Sequence, residues 1–273
     1  MISHMLRDIG DLVPHPDAVM IQTNTSCNLS CKFCFFGQKP GYDTGEEMAT
    51  STIAKILDDL ARAQYRGRVS LYNINEPLTD PRLFDLLAMA KEKLPECEHK
   101  ITTNGLLLDQ DKLDRLTKLL DVLEISQYGR LPELDYSSPV VKVANKRNFI
   151  KRAGSNRGGN LIGLPQAQEV GTKACMNVLG QFVIDPPSTA ILCCADGMKD
   201  IVIGDVLAED TMRVWTHSPV MNEYRAKHAV GRRGELKLCS GCTVEGFGYN
   251  SNKGRRAVLG AAMVAIAERS SAT

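Results

Sequence analysis

Three closely spaced cysteines near the N-terminus constrain this chain more than any other feature. Cys27, Cys31 and Cys34 follow a short apolar run at 19–23 and have Cys-x3-Cys-x2-Cys spacing. Three thiolates at this spacing can each ligate one iron of a cubane [4Fe–4S] cluster. The fourth iron then lacks a nearby protein ligand, and a small molecule can bind at such an open metal position. The competing interpretation is a fragment of a zinc site whose fourth ligand lies elsewhere in the chain.

Length, charge and cysteine usage exclude several broad classes of protein. The 273 residues, 43% of them hydrophobic, permit one large α/β domain or a somewhat smaller one with an appendage. A net charge of +1 predicts no binding to nucleic acid or to a membrane surface. The nine cysteines lie mostly in tight groups, which indicates metal ligation in a reducing compartment. Residues 1–7 lack a signal-peptide pattern, so we expect a soluble cytoplasmic protein.

Strand-like and helix-like segments alternate along the first half of the chain. A first helix begins near Ser51 or Thr52, a second at Asp80-Pro81, and a third covers about 111–120. The predicted strands before and between these helices are 19–23, 68–73, 100–103 and 122–126. This alternation predicts parallel strands with helices packed outside them, and about two more strands before residue 165.

Polar residues follow the carboxyl ends of the predicted strands. They are Asn75 and Glu76 after the second strand, Thr103 and Asn104 after the third, and Ser126 and Gln127 after the fourth. In α/β folds, binding sites form at the end of the sheet where these strand ends meet. The simpler interpretation of Asn75 and Glu76 is an ordinary turn that leads into a helix.

The first cysteine motif, with an aromatic residue at Phe33, resembles the signature of the radical S-adenosylmethionine (radical SAM) superfamily. The resemblance implies a partial (β/α)6 barrel and a [4Fe–4S] cluster held by Cys27, Cys31 and Cys34. It also implies that the open iron chelates the amino and carboxylate groups of S-adenosylmethionine (SAM). An electron from the cluster then cleaves SAM to a 5′-deoxyadenosyl radical.

The same resemblance implies which polar residues contact SAM. Glu76 and Pro77 match the family's Gly-Gly-Glu-Pro-like segment, although its glycines are replaced here. The segment implies that Glu76 or the Asn75 amide accepts a hydrogen bond from the SAM ammonium group. The resemblance assigns the remaining contacts with SAM to Phe33, Thr103, Asn104, Ser126 and Gln127.

A second group of cysteines occupies the last third of the chain: Cys175, Cys193, Cys194, Cys239 and Cys242. Two predicted strands, 175–185 and 190–196, form a hairpin that brings Cys175 near Cys193 and Cys194. A helix near 211–228, anchored by Trp215, then precedes Cys239 and Cys242. Four thiolates suit either zinc or a [4Fe–4S] cluster, and the sequence pattern alone leaves both open.

This layout is similar to the twitch domain, the shortened form of the SPASM domain of radical SAM enzymes. The resemblance implies one auxiliary [4Fe–4S] cluster held by Cys175, Cys193, Cys239 and Cys242. Cys194 is then spare, either as a donor of a hydrogen atom to a substrate radical or as a small buried residue.

Two arginines lie in a glycine-containing segment between the two cysteine groups. Arg152 and Arg157 can hold a polar substrate or the SAM carboxylate. We assign a catalytic role to Arg152. We expect Arg157 and Tyr72 to contact the substrate. The alternative is a basic loop that faces solvent.

These features together predict an organisation and a function. We expect a radical SAM barrel at 1–165, a twitch domain at 166–245 and a C-terminal helix at 246–273. In size and cysteine pattern the chain resembles small twitch enzymes that dehydrogenate aminocyclitols in antibiotic biosynthesis. That resemblance implies oxidation of a polar small molecule, with electrons supplied by a flavodoxin or ferredoxin. The alternatives are a maturase that crosslinks a short ribosomal peptide, an epimerase, and a structural zinc or redox-sensing protein.

Overall fold

Residues 13–145, 156–164 and 174–244 are described here in a computed structural model of the chain. They divide into two compact units. The N-terminal unit contains residues 18–145 and 184–188, and the C-terminal unit contains 13–17, 156–164, 174–183 and 189–244.

A parallel sheet forms the centre of the N-terminal unit. Its strands lie in the order β5-β4-β3-β2-β1, and each pair of neighbours is parallel. The register places Val19 beside Val69 and Ile101 beside Leu123. The strands are β1 (Ala18–Ile21), β2 (Arg68–Ser70), β3 (Glu98–Thr103), β4 (Val122–Gln127) and β5 (Val141–Asn145). All four residues of β1 are buried, as expected for a strand inside a parallel sheet.

Helices follow these strands and bury the apolar faces that their sequences predict. The helices are α1 (Phe35–Gln38), α2 (Thr50–Arg62), α3 (Leu83–Lys93) and α4 (Gln110–Leu119), with a 3-10 turn at Pro77–Thr79. Residues at helical spacing in α2, such as Ile53 and Leu57, are fully buried. The predicted cap of α2 is wrong, because Ser51 and Thr52 lie inside a helix that begins at Thr50.

The C-terminal unit combines short strands with two helices. β7 and β8 pair antiparallel, with Ala190 opposite Gly204. The elements are α5 (Met176–Gly180), β6 (Gln181–Asp185, of which 184–185 belong to the N-terminal unit), β7 (Thr189–Ile191), β8 (Val202–Asp205), α6 (Thr211–His217) and α7 (Pro219–Ala229). A 3-10 turn at Arg233–Glu235 follows α7.

Two predictions about these elements are wrong in part. The predicted strand 175–185 begins as helix α5 and becomes extended only at Gln181. The predicted helix 211–228 is two helices, since the backbone of Ser218 is not helical and Pro219 starts a new helix whose Met221 N–H donates to the Ser218 hydroxyl. Proline has no N–H to donate, so it suits the first turn of a helix and ends a preceding one.

Trp215 is the anchor that its size predicts. Its side chain is fully buried, its Nε1–H donates to the Pro14 carbonyl at 2.9 Å, and its ring lies 5.5 Å from that of Phe182. The guanidinium of Arg225 stacks over the indole at 4.0 Å. These contacts join α6, α7 and the segment before β1 into one core.

The predicted α/β class and parallel strand order are confirmed. Arg152 and the predicted helix at 246–273 lie outside the described residues, and the predicted domain boundaries stay predictions. No helix within the described ranges is long and apolar enough to cross a bilayer.

Candidate functional site

The loop that carries the first three cysteines leaves β1 and is held at its start by hydrogen bonds. The Thr25 N–H donates to the Glu46 carbonyl at 2.9 Å, and the Ser26 hydroxyl donates to the Asp43 carboxylate at 2.9 Å. The Cys27 N–H donates to the other oxygen of Asp43 at 3.3 Å. Residues 43–46 therefore fix the direction in which the loop leaves the sheet.

Helix α1 packs so closely on this loop that one of its positions requires glycine. A Cβ atom on Gly37 would lie 2.2 Å from the Cys31 carbonyl oxygen and 2.6 Å from that of Ser30. Both obstacles are backbone atoms, which cannot rotate away as a side chain does. The absence of a side chain at Gly37 thus allows the cysteine loop to close.

The thiols of Cys27, Cys31 and Cys34 interact electrostatically, so the loop gathers them in one place. Burial, with smaller contributions from the nearby Glu76 carboxylate and the other two thiols, raises the pKa of Cys27 to about 12. Burial and the neighbouring Cys34 also raise the pKa of Cys31. Bound iron would stabilise the thiolate forms that this environment otherwise disfavours.

Glu76 connects the loops that follow β2 and β3. Its carboxylate accepts from the Thr103 hydroxyl at 2.6 Å, the Asn104 N–H at 2.7 Å and the Leu78 N–H at 3.1 Å. Burial raises the pKa of Glu76, while these donors oppose the rise. An ionised carboxylate has about four acceptor positions, so these bonds leave capacity for a ligand.

Polar side chains take the positions where the family's segment has glycines. The Ile74 N–H donates to Gln22 Oε1 at 2.9 Å, and the Asn75 amide donates to Asn24 Oδ1 at 2.8 Å. Asn75 Oδ1 accepts from the Asn73 N–H at 3.1 Å. Because both ends of the Asn75 amide already have partners, the amide holds this turn against the residues after β1.

The ends of β3 and β4 also contact the cysteine loop. The Asn104 amide donates at 2.7 Å to Oδ1 of Asn28, the residue that directly follows Cys27. The Phe33 ring lies 5.2 Å from the ring of Tyr128, which directly follows β4. Ser126 and Gln127 are the last two residues of β4, and Ser126 is buried. Asn104 and Tyr128 therefore connect the ends of β3 and β4 to the cysteine loop, and the roles of Ser126 and Gln127 stay predictions.

The second group of thiols lies within the C-terminal unit, where four of the five cysteines are buried. Burial raises the pKa of the Cys175 thiol, and it raises the pKa of Cys239 to about 12. It also raises the pKa of Cys193 well above the usual value. Cys175 interacts with Cys242, and Cys239 interacts with both of them. Cys193 interacts with Cys175 and Cys239, so these four thiols are neighbours although α5 replaces part of the predicted hairpin, and their role as one ligand set stays a prediction.

Cys194 lies in the same group. Burial raises its pKa, the Arg157 charge opposes this, and the thiols of Cys175 and Cys242 raise it further. Its sulfur accepts from the Asn177 amide at 3.6 Å. Cys193 and Cys194 are both close enough to interact with the other thiols, so the assignment of Cys193 as the ligand stays a prediction.

Asn156 and Arg157 brace this group from two sides, and sequence reasoning missed Asn156. The fully buried Asn156 amide donates to the Gly241 carbonyl at 2.6 Å and accepts from the Thr243 N–H at 3.1 Å. Arg157 donates to the Cys194 carbonyl at 2.8 Å. The pair therefore fixes the loop of Cys239 and Cys242 beside the segment of Cys194.

A buried arginine suggests that this group holds something negatively charged. Arg233 donates to the carbonyls of Cys242 and Val244. Its positive charge opposes the rise that burial causes in the pKa of Cys175 and of Cys239. Its buried Nε has no hydrogen-bond partner among the described residues. A buried, unpaired donor is costly, and an anionic iron–sulfur cluster would place negative charge beside it.

Neither thiol group is arranged around a single ion. In 13–145, 156–164 and 174–244, no three His, Cys, Asp or Glu side chains converge on one metal position. A cubane cluster does not require such convergence, because each cysteine binds a different iron. The two thiol groups therefore fit clusters by their chemistry and their grouping.

Comparison with known families identifies both thiol groups. A family model of the radical SAM superfamily matches residues 21–153, which include the first group. A model of SPASM, an iron-sulfur cluster-binding domain, matches residues 175–243, which include the second. The chain therefore contains a radical SAM domain followed by an iron–sulfur cluster-binding SPASM domain. It is therefore an enzyme whose cofactors are SAM and iron–sulfur clusters.

Relatives support this placement. The chain is 25% identical over 244 residues to the S-adenosyl-L-methionine-dependent 2-deoxy-scyllo-inosamine dehydrogenase of Niallia circulans, covering 82% of this chain and 91% of the relative. A crystal structure of BtrN in complex with AdoMet and 2-DOIA has a TM-score of 0.74 at 22% identity, over 85% of this chain and 96% of that one. A structure of anSMEcpe with bound AdoMet has a TM-score of 0.52 at 13% identity, over 94% and 98%. The likeness to these two structures shows that the chain shares their fold, and it shows nothing about substrate or reaction.

Proposed function

We propose that this radical SAM enzyme oxidises a secondary alcohol of a small polar molecule of the aminocyclitol class to a ketone. The observation that carries the proposal is the second group of mostly buried thiols, beside which Arg233 Nε has no hydrogen-bond partner among the described residues. An auxiliary cluster at that position gives the enzyme an acceptor for the electron that dehydrogenation must remove. The homologous dehydrogenase of 2-deoxy-scyllo-inosamine supports the choice of reaction and substrate class.

We assign two [4Fe–4S] clusters to the two thiol groups. Cys27, Cys31 and Cys34 hold the cluster that binds SAM, and Cys175, Cys193, Cys239 and Cys242 hold the auxiliary cluster. When bound, these groups supply a 5′-deoxyadenosyl radical that takes one hydrogen atom from the carbinol carbon, and an acceptor for the remaining electron as the hydroxyl proton leaves.

The residues of the N-terminal unit position SAM. Glu76 keeps acceptor capacity for the SAM ammonium, and its bonds to Thr103 and Asn104 hold that carboxylate in one orientation. Asn104 also fixes the cysteine loop through Asn28. Phe33, Ser126 and Gln127 complete the proposed SAM contacts, and Asn75 supports them by holding the turn before Glu76 in place.

Tyr72 and Arg157 are the proposed substrate contacts among the described residues, and Arg152 keeps its proposed catalytic role. The Tyr72 hydroxyl lies 2.7 Å from the Thr102 hydroxyl, and a phenolic hydroxyl can both donate and accept hydrogen bonds to a polar substrate. Sequence reasoning missed Asp185, which is buried and accepts from the Asn73 amide at 3.4 Å. A carboxylate at the end of a strand suits a substrate that carries an amine or hydroxyl groups.

Epimerisation is the second candidate, and Cys194 is the observation that favours it. A buried thiol beyond the four proposed ligands can return a hydrogen atom to a substrate radical. Cys194→Ala separates the two reactions, because it stops epimerisation and leaves dehydrogenation intact if Cys193 is the ligand. If Cys194→Ala loses the auxiliary iron and Cys193→Ala retains it, Cys194 is the ligand and Cys193 is the spare thiol.

The remaining proposals concern the cellular context. We propose a flavodoxin or ferredoxin as the electron donor, since SAM cleavage needs a low-potential electron. None of the nine cysteines forms a disulfide bond, which supports the proposed cytoplasmic location.

The test is a reaction with 2-deoxy-scyllo-inosamine that carries deuterium at each carbinol carbon in turn. We expect a product lighter by two hydrogen atoms, with deuterium transferred to 5′-deoxyadenosine from one position only. Cys27→Ala is the control, because it removes the SAM-binding cluster. An unchanged mass with hydrogen taken up from solvent would instead identify an epimerase.

A further inference from the structure

His228 contacts the second thiol group but takes no part in the proposed chemistry. It lies near the end of α7, is 1% exposed, and touches two cysteines that are far apart in sequence. The Cys175 N–H donates to its Nδ1 at 3.1 Å, and its Nε2 lies 3.4 Å from the Cys239 sulfur.

These two contacts determine which ring nitrogen carries the proton. The backbone N–H of Cys175 can only donate, so Nδ1 must be the acceptor. In a neutral imidazole the proton is then on Nε2, which points at the Cys239 sulfur. The geometry therefore makes His228 a hydrogen-bond donor to a proposed cluster ligand.

We propose that His228 is a positioning residue that raises the reduction potential of the auxiliary cluster by donating its Nε2–H to the Cys239 sulfur. The proposal rests on the proposed assignment of that cluster. Reduction places more negative charge on the cysteine sulfurs, so a donor to sulfur stabilises the reduced cluster more than the oxidised one.

The surroundings strengthen this effect. Cys175, Cys239 and His228 are all buried, so water does not compete for the sulfur. Arg233, also buried, adds a positive charge whose influence reaches both cysteines. The neutral donor His228 and the positively charged Arg233 therefore both favour the reduced cluster. A higher potential makes the cluster a better acceptor for the electron that the substrate radical loses.

The test measures the potential of the auxiliary cluster alone, in the full chain. Cys27→Ala, Cys31→Ala and Cys34→Ala together remove the SAM-binding cluster, and reductive titration followed by electron paramagnetic resonance then reports the remaining one. His228→Leu removes the donor, His228→Gln keeps an N–H near the position of Nε2, and His217→Leu is the matched control on α6. His217 bonds to Thr216.

We expect His228→Leu to lower the ratio of reduced to oxidised cluster about tenfold at a fixed potential, a shift of about 59 mV for one electron. His228→Gln should recover most of the shift, and His217→Leu should cause none. An unshifted potential in a His228→Leu protein that retains its iron overturns the proposal. Loss of iron in both His228 variants also overturns it, because His228 would then be needed to hold the cluster and not to set its potential.

A second measurement needs no substitution at His228. In the same background, labelling only the histidines with ¹⁵N should give a weak nuclear coupling to the reduced cluster. Absence of that coupling contradicts the proposal. If the background without His228 substitutions binds no iron at all, the auxiliary cluster itself is wrong, which is a failure of the proposed function.

Discussion

Single buried polar residues hold the loops of both thiol groups, and each does so through partners distant in sequence. Glu76 accepts from Thr103 and Asn104, which lie 27 and 28 residues away. Asn156 bonds to Gly241 and Thr243, more than 80 residues away. Such residues leave several groups unsatisfied when they are lost, so their replacement costs more than one hydrogen bond.

Gly37→Ala should selectively impair the first thiol group. The added Cβ would meet the backbone of Cys31 and Ser30, so the cysteine loop must move. We expect loss of about half of the bound iron and of 5′-deoxyadenosine formation, measured by iron analysis and chromatography. Gly129→Ala is the control, because a Cβ there meets nothing within 4 Å. Full iron content in Gly37→Ala would show that the loop tolerates the contact.

Asn156→Ala should destabilise the C-terminal unit. The substitution leaves the Gly241 carbonyl and the Thr243 N–H without their partner, at a cost of about 1–3 kcal/mol for a buried group. Thermal unfolding and retention of auxiliary iron measure the effect. Asn160→Ala, which removes only a 3.4 Å bond to Asp200, should change little. Equal stability of the two variants would contradict the role given to Asn156.

At the level of elements, the helices of the C-terminal unit depend on capping side chains. The Asp210 carboxylate accepts from the Met212 and Arg213 N–H groups at the start of α6. Asp210→Ala should therefore lower the free energy of unfolding by about 1 kcal/mol, while Asp210→Asn, which keeps a capping oxygen, should lower it less. Urea denaturation measures both, and an Asn variant as unstable as the Ala variant would argue against the cap.

The elements also show which parts of the fold local sequence can predict. The strands of the parallel sheet and the faces of α2, α3 and α4 follow from apolar runs and helical spacing, because burial on one face leaves a periodic pattern. The short helix α5 was missed, since a segment of five residues is too short to show helical spacing and fits a strand equally well. The break at Ser218 was also missed, although Pro219 signals a new helix start.

The residues of the candidate site could likewise be predicted only where they belong to a local sequence pattern. Cysteine spacing and the polar strand ends indicate the cysteines, Glu76 and Asn104, because these lie at recognisable local positions. Asn156, His228 and Arg233 could not be found in this way. Their roles come from partners that only the fold brings near, and an isolated polar residue in a helix or loop carries no such signal.

For the whole molecule, the central claim is that one chain holds two clusters in two separate units. The first thiol group lies in the N-terminal unit and the second in the C-terminal unit. This arrangement separates the generation of a radical from the removal of an electron. We therefore expect that each cluster can be deleted without the other, as the variants above require.

The most direct measurement is anaerobic reconstitution, followed by analysis of iron and sulfide and of 5′-deoxyadenosine after addition of SAM and dithionite. We predict about eight irons per chain, with 5′-deoxyadenosine formed. About four irons with 5′-deoxyadenosine would contradict the auxiliary cluster, and with it the electron acceptor on which dehydrogenation depends.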